Sequence, residues 1–453
     1  MNLQALTSSL SKRIGPLRRV FYEAGFARDL LVLTSGSAIG QFVGLIAMPV
    51  LTRLYTPAEY GVMGVYMSVL GILAVVAMLR YEAAIPISET DADALNVLAL
   101  SCSIVVVTSL ACAGVVLFAA QPLTTLLRVP TLAPVAWLLP IGMLGYGLYR
   151  AFSLWAVRQQ DFQTLASTKV TQGLGLVSTQ LGLGFLRAGP AGLIVGQIVG
   201  HSAGIVALWR HVQRQRPDWP RSISFLGMRR AARRYDRFPK FSLGAAFLYS
   251  TSENLPLLFL GTVLSTTIAG WYTLVRQTLL YPMNLLYVST GQVYYGEIAK
   301  LKLISPETML AVFVRRVKQT GAIALAILVL LNLIAPWFVP LVFGKQWSGA
   351  VTCLQIVSPM ALAGFIAGST GSTLEALQRQ DLYLAREALR MVMMLAALAI
   401  AYVLRSNWVL SLAVISAAEV VIYAFCLWLS WFAIRSYTQR LPVSGPNTLA
   451  DST

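Results

Sequence analysis

Residues 165–209 read LASTKVTQGLGLVSTQLGLGFLRAGPAGLIVGQIVGHSAGIVALW. Two apolar runs flank the short break Arg187-Ala188-Gly189-Pro190. An α-helix rises about 1.5 Å per residue, so a run of about 20 residues crosses a hydrocarbon core of about 30 Å. Glycine followed by proline punctuates a turn. The stretch is therefore expected to be a helical hairpin that crosses a bilayer twice, over 165–186 and 189–209.

The same pattern recurs along the chain. Twelve spans are expected, at 29–51, 59–79, 97–119, 133–155, 165–186, 189–209, 241–262, 266–294, 317–341, 349–370, 386–404 and 408–433. Composition agrees: of 453 residues 57% are hydrophobic and only 12% charged, with a mean hydropathy of +0.69. A soluble domain carries about 25% charged residues. The fold class is an all-α polytopic membrane protein with two six-helix lobes.

The formal net charge is +17. On a soluble chain this would point to nucleic acid, but here the basic residues gather on one side of the expected spans. With a cytoplasmic N-terminus, 29 Lys and Arg fall on the cytoplasmic side. Five fall opposite: Arg53, Arg128, Arg187, Lys345 and Arg405. That asymmetry is the positive-inside signal, and it puts both termini in the cytoplasm. No nucleic-acid partner is expected.

The expected organisation is a basic interfacial segment over 1–28, a first lobe over 29–209, a basic linker over 210–240, a second lobe over 241–434 and a cytoplasmic tail over 435–453. The first segment mixes Lys12, Arg13, Arg18 and Arg19 with Phe21 and Tyr22 and leads into the first span, unlike a cleavable signal peptide. The linker carries Arg229, Arg230, Arg233, Arg234 and Arg237, which suits the anionic inner leaflet. Cys102, Cys112, Cys353 and Cys426 lie in apolar segments without metal-ligand spacing, and His201 and His211 cannot form a metal cluster between them. No metal and no cofactor are expected.

A charge inside a span costs about 2.5–3.5 kcal/mol on insertion scales, so it needs a compensating role. Glu253 lies within span seven and Arg276 within span eight. Those helices form a hairpin, so the two side chains can pair or can face one wet cavity. Asn254 flanks Glu253, Tyr272 and Gln277 flank Arg276, and Pro256 and Pro282 interrupt both helices. Span one offers Gln41, with Gly36, Gly40 and Gly44 at the spacing of close helix packing. Arg80 and Glu82 form a charged cluster at the inner end of span two. Glu419 is a further carboxylate, within span twelve. The sequence lacks Walker A, HExxH and GxSxG patterns and has no long external loop. It reads as a transporter rather than an enzyme.

The stretch Leu51–Tyr66, LTRLYTPAEYGVMGVY, resembles the turn after the first span of Wzx-type polysaccharide flippases, in the multidrug/oligosaccharidyl-lipid/polysaccharide exporter superfamily. AGWYTLVRQTLLYP, Ala269–Pro282, resembles that family's eighth span, and AGPAGLIVGQIVG, Ala188–Gly200, also fits. The resemblance implies two lobes around a central cavity lined by spans one, two, seven and eight. It implies alternating access that moves an undecaprenyl-pyrophosphate-linked oligosaccharide to the outer leaflet of the bacterial cytoplasmic membrane, for O-antigen, capsule or exopolysaccharide synthesis. Arg276 is the residue it points to first as a substrate contact, then Arg80 and Arg53. Gln41, Asn254, Tyr272 and Gln277 complete the expected cavity, with Glu253, Glu82 and Glu419 as candidates for coupling to protons or sodium. Implied partners besides membrane lipids are a polysaccharide polymerase and a chain-length regulator. A drug exporter of the same superfamily would favour acidic or aromatic sites over a central Arg276. A peptidoglycan-lipid flippase would carry extra C-terminal helices. A polymerase or ligase would need a large external loop.

Overall fold

The computed structural model describes residues 35–126, 130–377 and 379–439. The expected basic segment 1–28, Arg128 and the tail beyond 439 lie outside the described residues. Helices account for the architecture, and no strand occurs among the described residues. The boundary between two units falls between Phe247 and Leu248.

In the first unit the long helices are α1 (Ser35–Leu54), α2 (Pro57–Val76), α3 (Asp91–Leu126), α4 (Leu138–Arg158), α5 (Phe162–Phe185) and α6 (Pro190–Ser202). The last continues into α7 (Ile205–Gln215). Short α8 (Trp219–Ser222) and α9 (Phe225–Arg234) follow. The second unit is built from α10 (Leu243–Phe259), α11 (Thr266–Val275), α12 (Tyr281–Ile304), α13 (Met309–Val342), α14 (Gly349–Thr370), short α15 (Thr373–Ala376), α16 (Gln380–Val403) and α17 (Trp408–Gln439). Counting α6 with α7 and α11 with α12 as single rods gives six long rods per unit, the expected twelve. Seven of the rods are long and apolar enough to cross a membrane on length and composition alone. The other five, α4, α5, α10, α11–α12 and α16, include the helices that carry Arg150, Lys169, Glu253, Arg276 and Arg390. Polar side chains inside those rods lower their hydropathy.

Local chemistry sets the helix ends. The family-like turn before α2 is a capping box: the Glu59 amide donates to Thr56 Oγ1, and the Thr56 amide donates to Glu59 Oε2 at 2.7 Å. Pro57 sits at the first helical position, where its missing N–H costs nothing. In the opening hairpin α5 ends at Phe185 and α6 begins at Pro190. Gly189 takes φ +61° there, a left-handed conformation that glycine adopts without steric cost.

Two of the three span-one glycines make a close crossing. A Cβ on Gly40 would come within 2.6 Å of the Lys169 carbonyl oxygen, and one on Gly36 within 2.7 Å of Ala166. A Cβ on Gly44 would meet nothing within 4 Å among the described residues outside its own helix. Overpacking of this kind costs about 1–3 kcal/mol. Gly40→Leu is therefore expected to lower the unfolding temperature of the purified protein, while Gly44→Leu leaves it in place. Equal effects at both positions would contradict the crossing.

The stretch read as a linker is fastened to the first unit. Asn96 on α3 donates to the Ser222 carbonyl at 2.9 Å and accepts from the Ser224 amide at 3.1 Å. Tyr81 donates to the Ala232 carbonyl at 3.2 Å. Arg216 and Arg158 share Asp91, and Arg234 reaches Glu89 and Asp93. Three acidic residues at the start of α3 thus hold part of the basic stretch, while Arg229, Arg230 and Arg233 remain exposed.

Candidate functional site

The second unit contains a cavity of about 470 Å³. Tyr249 and Glu253 reach it from α10, Tyr383, Arg386, Glu387 and Arg390 from α16, and Tyr423 and Cys426 from α17. Arg276, Tyr281 and Tyr287 come from the broken rod between α11 and α12. One wall is α14, whose small residues Ala361, Gly364 and Gly368 leave room for aromatic rings. A Cβ at Gly368 would lie 2.6 Å from the Tyr287 ring.

Helical spacing explains the convergence. Tyr249 and Glu253 are four residues apart, as are Glu419 and Tyr423, while Tyr383, Glu387 and Arg390 follow the i, i+4, i+7 pattern. Each helix therefore presents one polar stripe. The placement of Arg276 depends on a local widening. Residues Arg276–Leu280 form a π-helical turn closed by the Tyr281 amide donating to the Arg276 carbonyl. Pro282 removes one α-helical donor, and its ring crowds the carbonyl four residues back. The wider turn accommodates this, and such turns recur at functional sites.

Glu253 and Arg276 line the same cavity, but they do not form an ion pair. The partner of Glu253 is Arg390, whose Nη2 donates to Glu253 Oε2 at 2.8 Å. The same nitrogen reaches Glu419 Oε2 at 3.3 Å. The Arg390 guanidinium lies over the rings of Tyr249 and Tyr423, with centroids at 5.3 and 5.6 Å. Arg276 stacks on the Tyr281 ring at 5.8 Å and makes no ion pair with a described residue. Arg386 pairs with Glu387 at 2.7 Å and lies over the Tyr383 ring.

The other expected residues divide between the units. Asn254 donates back to the Ser250 carbonyl at 2.8 Å, and Tyr272 is buried beside Arg276. Neither these two nor Gln277 is part of the described cavity wall. Glu419 is buried behind Arg390 rather than in the wall. Gln41, Arg53, Arg80 and Glu82 belong to the first unit. Gln41 and Arg53 are exposed.

Arg80 and Glu82 do form the cluster read from the sequence, at 3.6 Å. Leu79 and Arg80 both take positive φ, at 50° and 65°, so this turn is strained. Arg80 also reaches Ser242 at 3.5 Å. Glu82 is 4% exposed, and its Oε2 has no hydrogen-bond partner among the described residues. Burial pushes the Glu82 carboxyl above its usual range, against the pull of Arg80 and Arg150. The native state thus binds this proton more tightly than the unfolded chain, and wild type loses that contribution as pH rises. The stability of Glu82→Gln relative to wild type is expected to increase between about pH 5 and about pH 8. A difference in unfolding temperature that stays flat across that range would contradict it.

Arg390, Arg386 and Glu387 were missed as site residues by the sequence reading. All three sit in the first half of α16, where Arg386 and Arg390 were counted with the cytoplasmic charges. The signal that marks them is the i, i+4, i+7 stripe with Tyr383.

Two units of six long rods among the described residues, seven of the rods apolar and long enough to cross a membrane, define the class as a multi-pass membrane protein. The chain superposes on a multidrug resistance MATE family transporter of the MOP superfamily, solved in its inward-facing conformation. The TM-score is 0.65 and the identity 14%, covering 89% of this chain and 96% of that one. It superposes on a variant of the Vibrio cholerae MATE transporter VcmN with a TM-score of 0.60 and 16% identity, covering 92% and 98%. The chain belongs to the polysaccharide biosynthesis protein family, which it matches over residues 50–352. It is also 27% identical over 146 residues to the lipopolysaccharide biosynthesis protein WzxC of Escherichia coli strain K12. That match covers 32% of this chain and 30% of the length of WzxC.

Proposed function

We propose that this protein is a flippase that carries an undecaprenyl-pyrophosphate-linked oligosaccharide from the inner to the outer leaflet of the bacterial cytoplasmic membrane. The observation that carries the reading is Arg276, a cation without an ion-pair partner among the described residues, facing a cavity in a chain of the polysaccharide biosynthesis family. Neither a diphosphate nor a hydrated sugar crosses hydrocarbon unaided, because each polar group would lose its hydrogen bonds to water. A guanidinium in a cavity supplies charge-assisted, bidentate hydrogen bonds to phosphate oxygens. The tyrosines around it offer rings and hydroxyls to sugar. The prenyl tail stays in the lipid, and alternating access moves the headgroup. Both termini face the cytoplasm, and exposed Phe225, Leu226, Arg229 and Arg230 rest on the anionic inner leaflet. The product feeds a polymerase and chain-length regulator.

The test is transport by the purified protein in vesicles, using a fluorescent polyprenyl-diphosphate oligosaccharide and a reagent that reads only the outer leaflet. Movement above that of protein-free vesicles is expected. Movement of a cationic drug but not of the lipid would overturn the reading in favour of a drug exporter.

A further inference from the structure

We propose that Arg390 exchanges between the Glu253–Glu419 carboxylate pair and the anionic group of the substrate, and that the pair takes up one proton when the exchange occurs. The proposal rests on the diphosphate reading above.

Its basis is an incomplete bond pattern. A guanidinium has five N–H donors in a rigid fork. Arg390 serves two carboxylates through Nη2 alone, at 2.8 Å to Glu253 and 3.3 Å to Glu419. Its Nε is buried with no hydrogen-bond partner among the described residues. Neither carboxylate receives the two parallel bonds that make such pairs strong. One cation therefore faces two anions, in a site where Arg390 is 8% exposed and Glu419 is 5% exposed.

The neighbouring charges do not complete the pair. On α16, Arg386 is committed to Glu387, whose Oε2 is itself buried and has no hydrogen-bond partner among the described residues. On α10 and α17 the flanking groups are Tyr249 and Tyr423, which stack on Arg390. From the broken rod, Arg276 faces the same cavity, stacks on the Tyr281 ring and forms no ion pair among the described residues.

A diphosphate entering the cavity meets Arg276 first as an uncommitted cation. It then presents several oxygens to the unused edge of Arg390, with geometry the two glutamates lack. Contact with the Tyr249 and Tyr423 rings lets the guanidinium keep its place while its N–H groups change partner. Once phosphate takes the positive charge, Glu253 and Glu419 lose their shared hydrogen-bonded cation. Glu419 is buried, and a second carboxylate beside it disfavours its ionised form. One binds a proton from bulk water. When the phosphate leaves, Arg390 returns to the pair and the proton is released. The exchange limits the net charge the lobe gains on loading, and it makes anion and proton binding mutually reinforcing.

The experiment is titration calorimetry of the full chain in detergent, with inorganic pyrophosphate as the probe. Buffers of different ionisation heat are used at about pH 7, so that the dependence of the heat on buffer counts protons. Wild type is expected to take up about one more proton per bound pyrophosphate than Glu419→Gln. Protonation of the probe itself is common to both proteins and cancels. Glu253→Gln serves in the same comparison should Glu419→Gln not fold. Binding with the same proton number in wild type and variant overturns the exchange and leaves the flippase reading standing. Binding that requires sodium in place of the proton also overturns it. Absence of pyrophosphate binding in wild type overturns the exchange and the diphosphate reading together.

Discussion

Arg276→Ala is expected to reduce transport of a diphosphate-linked oligosaccharide by roughly 10- to 150-fold, with the protein still folded. A hydrogen bond to a charged group contributes about 1.5–3 kcal/mol, and each 1.4 kcal/mol is a factor of ten. Arg276 makes no ion pair among the described residues, so its removal strands no carboxylate. Stability therefore changes little while substrate affinity falls. Arg276→Lys keeps the charge but loses the planar fork, and is expected to retain an intermediate rate. The check is initial transport rate in vesicles, with unfolding temperature measured alongside. Wild-type transport by Arg276→Ala would remove this residue from the substrate path.

Arg390→Met is expected to have the opposite signature, a large loss of stability. It leaves Glu253 and buried Glu419 without their shared cation. Breaking a buried ion pair by deleting one partner costs about 3–5 kcal/mol. For a lobe of this size that corresponds to a fall in Tm of roughly 6–20 °C, toward the lower end because Glu253 is 38% exposed. Adding Glu253→Gln and Glu419→Gln to Arg390→Met removes the stranded charges and is expected to restore most of the loss. That recovery separates an electrostatic cause from lost packing. An unchanged Tm in Arg390→Met would mean that the three groups are not mutually dependent.

Much of the fold was legible because a membrane helix must be long and apolar. The hairpin around Gly189-Pro190 shows why: one glycine with positive φ and one proline at a helix start mark the turn unaided. Glu253 and Arg276 stood out as charges in apolar surroundings. Arg390 did not. It lies eleven positions into α16 by the structure but near the start of the span expected from hydropathy, where a basic residue reads as topological. Its burial comes from α10 and α17, whose carboxylates are 137 and 29 residues away in sequence. The fastening of residues 216–234 to Glu89, Asp91 and Asp93 is likewise tertiary, and the basic run that marks the linker in the sequence does not name those partners. The π-turn at Arg276–Leu280 depends on packing as well as on Pro282, and periodicity alone does not place it.

The most direct measurement is the sidedness of lipid-linked glycan in cells that lack this protein, with and without the wild-type chain restored. Accumulation on the cytoplasmic leaflet in its absence, relieved by the wild-type chain and not by Arg276→Ala, is the expected result. Normal arrival of the lipid-linked units at the outer leaflet without the protein would contradict a flippase and point to a different exported solute or a later step of assembly.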